Sequence, residues 1–275
     1  MIEIPEAESL SRQITETIRG KKIAQVVAGL SPHKFAWYQG DPKDYDALLR
    51  GKTIGTAVAR GGMLEIRAGD AVLLLSDGVV LRFHTRDEQR PRKHQLLVEF
   101  EDGTAISASV QMYGGLYCFK EGEFHNPYYD AARSKPSPLL DEFDWAYFDR
   151  LITSPEVQKL SAKAFLATEQ RIPGLGNGVL QDILYNARIH PKRRVETLTD
   201  DERETLFQSV KSTLQEMTAQ GGRDTEKDLF GKPGEYRTRV SKNTIDKPCP
   251  VCGGMIVKEA YLGGSIYFCD GCQKM

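Results

Sequence analysis

Apolar and polar positions change rhythm twice along the chain. SLSRQITETIRG, from Ser9 to Gly20, places Leu10, Ile14 and Ile18 four residues apart, which predicts an amphipathic helix ending at Gly20. Apolar runs separated by turn residues follow. GDAVLLLSDGVVLRFHT has Ser-Asp-Gly between two such runs, and HQLLVEFEDGTAISASVQMYGGLYCF has Glu-Asp-Gly in the same place. Asp-Gly between apolar stretches predicts β-hairpins, since both residues tolerate positive φ. NPYYDAARSKPSPLLDEFD then mixes Pro, Ser and charge and reads as a linker. Beyond it the period becomes helical in DWAYFDRLI, SPEVQKLSAKAFLATE, NGVLQDILYNARI and TDDERETLFQSVKSTLQEMTAQ. The last has Thr199 as N-cap and Gly221-Gly222 as stop. These rhythms predict an α+β chain of three parts: a β-rich domain over 1–130, a helical domain over 131–220, and a loop-rich segment with a cysteine hairpin over 221–275.

A length of 275 residues suits about two domains, and a formal net charge of −1 excludes a uniformly basic nucleic-acid binder. A local basic groove remains compatible with it, because only the footprint must be positive. No signal peptide or membrane-length apolar run is visible, so a soluble intracellular protein is expected. Four of the five cysteines lie in the tail, which fits a metal site in a reducing compartment. The fifth, Cys118, reads as a small buried hydrophobe.

Cys249-x-x-Cys252 and Cys269-x-x-Cys272 are sixteen residues apart. Paired knuckles of this kind place four thiolates tetrahedrally, which suits one zinc ion. Four protein ligands leave no open position, so the zinc is expected to be structural. MIVKEAYLGGSIYF between the knuckles reads as a hairpin too short to fold alone, so the metal would supply its folding free energy. Its tip, Leu262-Gly263-Gly264-Ser265, is nearly bare of side chains.

In IPGLGNGVLQDILYNARIHPKRR, Gly174, Gly176 and Gly178 make a tight turn that opens into a helix. A helix N-terminus reached through glycines presents free N–H groups to an anion. Arg188, His190, Lys192, Arg193 and Arg194 form a basic cluster just beyond.

This stretch, followed by a four-cysteine finger, resembles the formamidopyrimidine-DNA glycosylase and endonuclease VIII family of base-excision repair enzymes. The opening MIEIPEAES, the stretches GGRDTEKDLFGKPGEY and VSKNTIDKPCPVCGG, and the ending FCDGCQ are similar to it as well. The resemblance implies an N-terminal β-sandwich with a leading helix, a helix–two-turn–helix domain and a zinc finger. Double-stranded DNA would lie across the cleft of a monomer. By matching positions it implies phosphate contacts from Lys163, Asn177 and, more weakly, Lys242. Gln111, Met112 and Tyr113 would fill the gap left by a flipped base. Glu3 would act as general acid/base at the sugar, with Glu6 in the same segment.

The sequence departs from the family at its nucleophile. The family uses the amine of a proline directly after the initiator Met, and here that position is Ile2. The α-amine on Met1 would then lie one residue too far out. The family's hairpin lysine falls on or near Gly62, its finger arginine on Gly264, and a tyrosine after the turn asparagine is replaced by Val179. Lys34, in the unusual cluster SPHKFAWYQG with His33, Trp37 and Tyr38, is a conceivable substitute amine. The expectation is a DNA glycosylase whose strand-cleaving lyase activity is weakened or absent. The alternative is a non-catalytic binder of lesions or abasic sites.

Overall fold

A computed structural model describes all residues from Met1 to Met275. The leading helix α1 (Ile4–Ile18) begins five residues earlier than the apolar spacing suggests. Pro5 fits its first turn, where no backbone N–H is needed, and Glu6 turns back to accept the Glu3 N–H at 3.3 Å. The expected apolar face of Leu10, Ile14 and Ile18 is buried in a 27-residue core.

That core lies between two sheets. Strands β1 (Ile23–Ala28), β2 (Ala36–Trp37), β3 (Ile54–Arg60), β4 (Met63–Ala68), β5 (Ala71–Ser76), β6 (Val79–His84), β7 (Leu96–Phe100), β8 (Ala105–Val110) and β9 (Gly114–Lys120) follow in sequence, with helix α2 (Tyr45–Leu49) between β2 and β3. One sheet has the order β1-β7-β8-β6 and the other β2-β9-β5-β4-β3. Glu-Asp-Gly does close a hairpin, since β7 pairs antiparallel with β8. Ser-Asp-Gly does not. β5 pairs with β4 and β9, whereas β6 pairs with β8, so Ser76-Asp77-Gly78 is a corner at which the chain changes sheet. The chain crosses back at Gln111-Met112-Tyr113, between β8 and β9. Cys118 is buried on β9, and burial pushes its thiol up to about 12.

The expected linker contains a helix of its own, α3 (Pro127–Ser134), because Asn126 accepts N–H bonds from Tyr128 and Tyr129 as N-cap. The helices α4 (Trp145–Ile152), α5 (Ala162–Ala167), α6 (Val179–Asn186) and α7 (Asp200–Ala219) enclose a second core. Thr199 caps α7 through a reciprocal bond with Glu202. The chain then returns to the sandwich, where Leu229 enters the first core, before reaching the finger hairpin β10 (Ile256–Tyr261) and β11 (Gly264–Cys269). Ile2 belongs to the sandwich core and Ile4 to the helical core, so the N-terminal segment joins the two. No helix is long and apolar enough to cross a membrane.

Candidate active site and nucleic-acid interface

The N-terminal segment runs along the floor of the junction. Its Ile2 N–H donates to the Asp77 carbonyl at 2.6 Å and its Ile4 N–H to the Gly174 carbonyl at 3.1 Å. The Met1 ammonium pairs with Glu226. Glu3 is only 3% exposed, and its two carboxylate oxygens accept the N–H groups of Gly178 (2.8 Å) and Val179 (2.7 Å) at the start of α6. Burial pushes this carboxyl above its ordinary range. Arg223, 3.5 Å away, pulls it down, the charge of Glu6 adds to the rise, and the two N–H donors lower it again. Arg223 is itself buried and grips Glu6 through Nε at 3.0 Å and Nη2 at 2.8 Å. Three charges buried together persist only because each is paired and hydrogen-bonded.

The glycines of the turn make this junction possible. A side chain on Gly174 would overlap the backbone of Gly61 and Gly62, and its φ of +81° already favours glycine. A Cβ on Gly176 would lie 2.7 Å from the Glu3 carboxylate, and one on Gly178 would overlap Arg223. Gly62 sits on the turn between β3 and β4. A Cβ there would come within 3.1 Å of both the Gly174 Cα and the Ile2 carbonyl. The missing hairpin lysine is therefore matched by a backbone-to-backbone contact that leaves little room for any side chain.

Across the cleft, Lys163 and Asn177 come together at the finger tip. The Lys163 Nζ donates to the Tyr261 carbonyl at 2.6 Å, and Asn177 Nδ2 donates to the Ser265 carbonyl at 2.9 Å. Gln181, which local pattern did not single out, donates to the same Ser265 carbonyl at 3.1 Å and accepts the Tyr267 N–H at 3.0 Å. Burial lowers the Lys163 ammonium below its ordinary range. The tip turns at Leu262-Gly263, both with positive φ, and Gly264 is already in β11. A Cβ on Gly264 would lie 3.5 Å from both Lys163 Nζ and Asn177 Nδ2, an ordinary contact. Lys242 is exposed on the approach to the finger.

The four tail sulfurs lie within 4.8 Å of one another and can hold a metal ion. The Tyr185 hydroxyl, on α6, lies 3.1 Å from Cys249 Sγ and ties the cluster to the helical domain. A Cβ on Gly271 would press on Cys252 Sγ at 2.7 Å, so the second knuckle needs glycine there. Four closely set thiols without disulfide bonds match the donor set of a tetrahedral zinc site.

Gln111, Met112 and Tyr113 form the second sheet-crossing corner. Met112 stands at its tip, 72% exposed and with φ +63°. The Tyr113 ring lies 5.8 Å from the ring of Trp37, and the Gly114 N–H donates to the Phe35 carbonyl at 2.9 Å. The cluster SPHKFAWYQG is thus joined to this corner. Lys34 is exposed and lies over the Phe35 ring, so it is a surface cation rather than an amine in the junction. The basic run after α6 is largely neutralised. Lys192 pairs with Glu259, Arg193 with Glu202 and Arg194 with Glu196, and His190 is buried against Phe268. Arg223 and Glu226 carry no local sequence signal, and Asp77 carries only that of a turn, because their neighbours arrive from distant segments.

Family profiles match two parts of the chain: the formamidopyrimidine-DNA glycosylase N-terminal domain over residues 1–115, and the H2TH domain of the same glycosylases over residues 135–228. The formamidopyrimidine-DNA glycosylase of Wolbachia pipientis subsp. Culex pipiens is 30% identical over the full length of both chains. That of Bacillus subtilis is 27% identical over 99% of each. Among solved structures, the Lactococcus lactis Fpg bound to DNA with an abasic site superposes with a TM-score of 0.84. It is 26% identical, over 99% of this chain and 100% of that one. The same enzyme bound to DNA containing FAPY-dG gives a TM-score of 0.83.

Proposed function

The chain belongs to the formamidopyrimidine-DNA glycosylase family, and from that premise we propose that it releases a damaged base by hydrolysis, with strand-cleaving lyase activity weakened or absent. It is a base-excision DNA glycosylase that binds lesion-containing DNA. Zinc is the metal of the four-thiol cluster, which fixes the finger against the helical domain. Duplex DNA lies along the junction, with phosphate met by Lys163 and Asn177, and Lys242 adds charge on the approach. Gln111, Met112 and Tyr113 enter the helix where the base has left. Tyr113 supplies a stacking face and Gln111 an amide for the base left opposite.

One observation carries the hydrolytic reading. The residue after Met1 is isoleucine, its side chain is buried in the sandwich core, and its N–H is held by the Asp77 carbonyl. A Schiff base needs a free amine in reach of the sugar C1′. Here the nitrogen at that place is an amide, and the Met1 ammonium is held by Glu226. In this reading Glu3, the buried carboxyl of the N-terminal segment, gives a proton to the departing base.

Borohydride trapping on abasic duplex, run beside single-turnover base release on oxidised, alkylated and uracil-containing duplexes, tests the reading. Release without a trapped adduct is expected. A trapped adduct at wild-type level would show a working amine and overturn the hydrolytic route. Absence of release from every duplex would leave a lesion binder.

A further inference from the structure

Asp77 is a carboxylate that the family resemblance does not assign. It occupies the corner between β5 and β6, at a backbone φ of +59°. Aspartate tolerates that region better than most residues, yet still at a cost in backbone strain. Three backbone hydrogen bonds fix the corner from both sides. The Asp77 carbonyl holds the Ile2 N–H at 2.6 Å. The Gly78 N–H donates to the Tyr113 carbonyl at 2.9 Å, and the Gly78 carbonyl accepts the Gln111 N–H at 2.8 Å. A Cβ on Gly78 would overlap the Gln111 carbonyl, so the two sheet-crossing corners are in direct backbone contact. Asp77 therefore stands between the N-terminal segment and the corner that carries Met112 and Tyr113.

Its side chain is also less committed than its neighbours. Oδ2 accepts from Ser76 Oγ at 2.7 Å, and Oδ1 takes no hydrogen bond from the protein. Glu3, by contrast, has an N–H donor on each oxygen, and Glu6 is clamped by Arg223. Burial raises the Asp77 carboxyl above its ordinary range, against the pull of the Ser76 hydroxyl and the terminal ammonium. Such a group takes a proton more readily than a solvated aspartate does.

We propose that Asp77 activates the water that displaces the damaged base. The inference rests on the hydrolytic reading above. A water held by Asp77 Oδ1 attacks C1′ and gives its proton to Asp77. The C1′–N bond breaks, and its electron pair leaves on the base, which takes up a proton from Glu3 or solvent. The products are the free base and an abasic sugar bearing a hydroxyl at C1′. Asp77 loses its proton to solvent and Glu3 regains one, so nothing is oxidised or reduced. Hydrolysis at an anomeric carbon by a paired acid and base is established chemistry for carboxylates.

Two variants test this. Asp77→Asn keeps the shape and tolerates the left-handed backbone, and Asp77→Gly suits that backbone and leaves a space. Both should lose base release in single turnover by roughly 10²–10⁴-fold. Binding to duplex carrying a tetrahydrofuran abasic analogue should stay at the wild-type level. Added formate should restore part of the release in Asp77→Gly and none in Asp77→Asn. Release that survives Asp77→Asn, release lost together with abasic binding, or no rescue by formate would each overturn the inference while leaving hydrolysis by wild type intact. No release by wild type from any duplex would instead defeat the hydrolytic reading and the inference with it.

Discussion

The two sides of the junction differ in what their glycines exclude. On the sandwich side, Gly62 and Gly174 bring three backbones together, and a Cβ on Gly174 would overlap its neighbours. On the finger side, Gly264 leaves ordinary space beside Lys163 and Asn177. One side has closed over the place where the family carries a lysine. The other has only left a place empty. On the finger side Lys163, Asn177 and Gln181 still meet the tip although its arginine is absent, while on the sandwich side the nitrogen after Met1 is the Ile2 amide, held by the Asp77 carbonyl. A binding surface and a nucleophile can therefore change independently within one fold, because different segments build them.

The largest test breaks the finger side. Cys269→Ser, or removal of the metal by a chelator, should unfold the hairpin, since β10 and β11 form only a two-stranded sheet. Lys163, Asn177 and Gln181 would then lose their partners on the tip. Lesion-duplex affinity should fall to the non-specific level, ~10³-fold or more. The sandwich, whose core is separate, should stay folded by circular dichroism. Unchanged affinity without metal would show that the finger only completes the fold.

On the sandwich side, Glu3→Gln should lower single-turnover base release by roughly 10²–10³-fold while abasic-duplex affinity holds. The substitution is not neutral for the junction. A glutamine keeps one acceptor for the N–H groups of Gly178 and Val179 but turns a second donor towards them. Some loss of thermal stability should accompany the loss of rate. Release that survives would move the proton-transfer role to another group, with Glu6 and Asp77 the nearest candidates.

The parts legible in the sequence are those whose cause is local. Cysteine spacing, the glycine turn and the Thr199 cap each depend on residues a few positions apart. The start of α1 was obscured because a glutamate precedes it rather than a standard N-cap residue. Ser76-Asp77-Gly78 carries hairpin chemistry, but turn residues do not reveal which sheet the next strand joins. The basic run at 188–194 gives no sign of its ion pairs, because Glu202 and Glu259, which neutralise Arg193 and Lys192, lie outside it. Arg223 lay in a segment without periodicity. Its role appears only when Glu3 and Glu6 meet it across more than two hundred residues.

A smaller effect separates phosphate contact from finger docking. Lys163→Ala removes a cation and also the bond to the Tyr261 carbonyl. If Lys163 meets phosphate, affinity should fall about equally for all duplexes, and the slope of log affinity against log salt should shrink by ~1. If it only latches the finger, stability should drop and the slope should stay put.

The smallest effect comes from filling the empty place. Gly264 lies in β11 rather than in the positive-φ turn, and a Cβ there meets Lys163 and Asn177 at ordinary distance. Gly264→Arg should therefore fold. Without DNA the new guanidinium stands beside the Lys163 ammonium, and like charges that close lower stability slightly. With DNA, a phosphate between the two cations would reverse the sign and make a charge-assisted pair. The expected result is a slightly lower melting temperature, a gain of a few-fold in duplex affinity, about 1 kcal/mol, and a salt slope steeper by ~1. Gly174→Ala is the control on the opposite side. It should cost stability, with no gain in affinity, because its Cβ has nowhere to go. A Gly264→Arg protein with unchanged affinity and slope would mean that the finger tip does not approach the backbone of the DNA. Lys163 would then serve the finger alone.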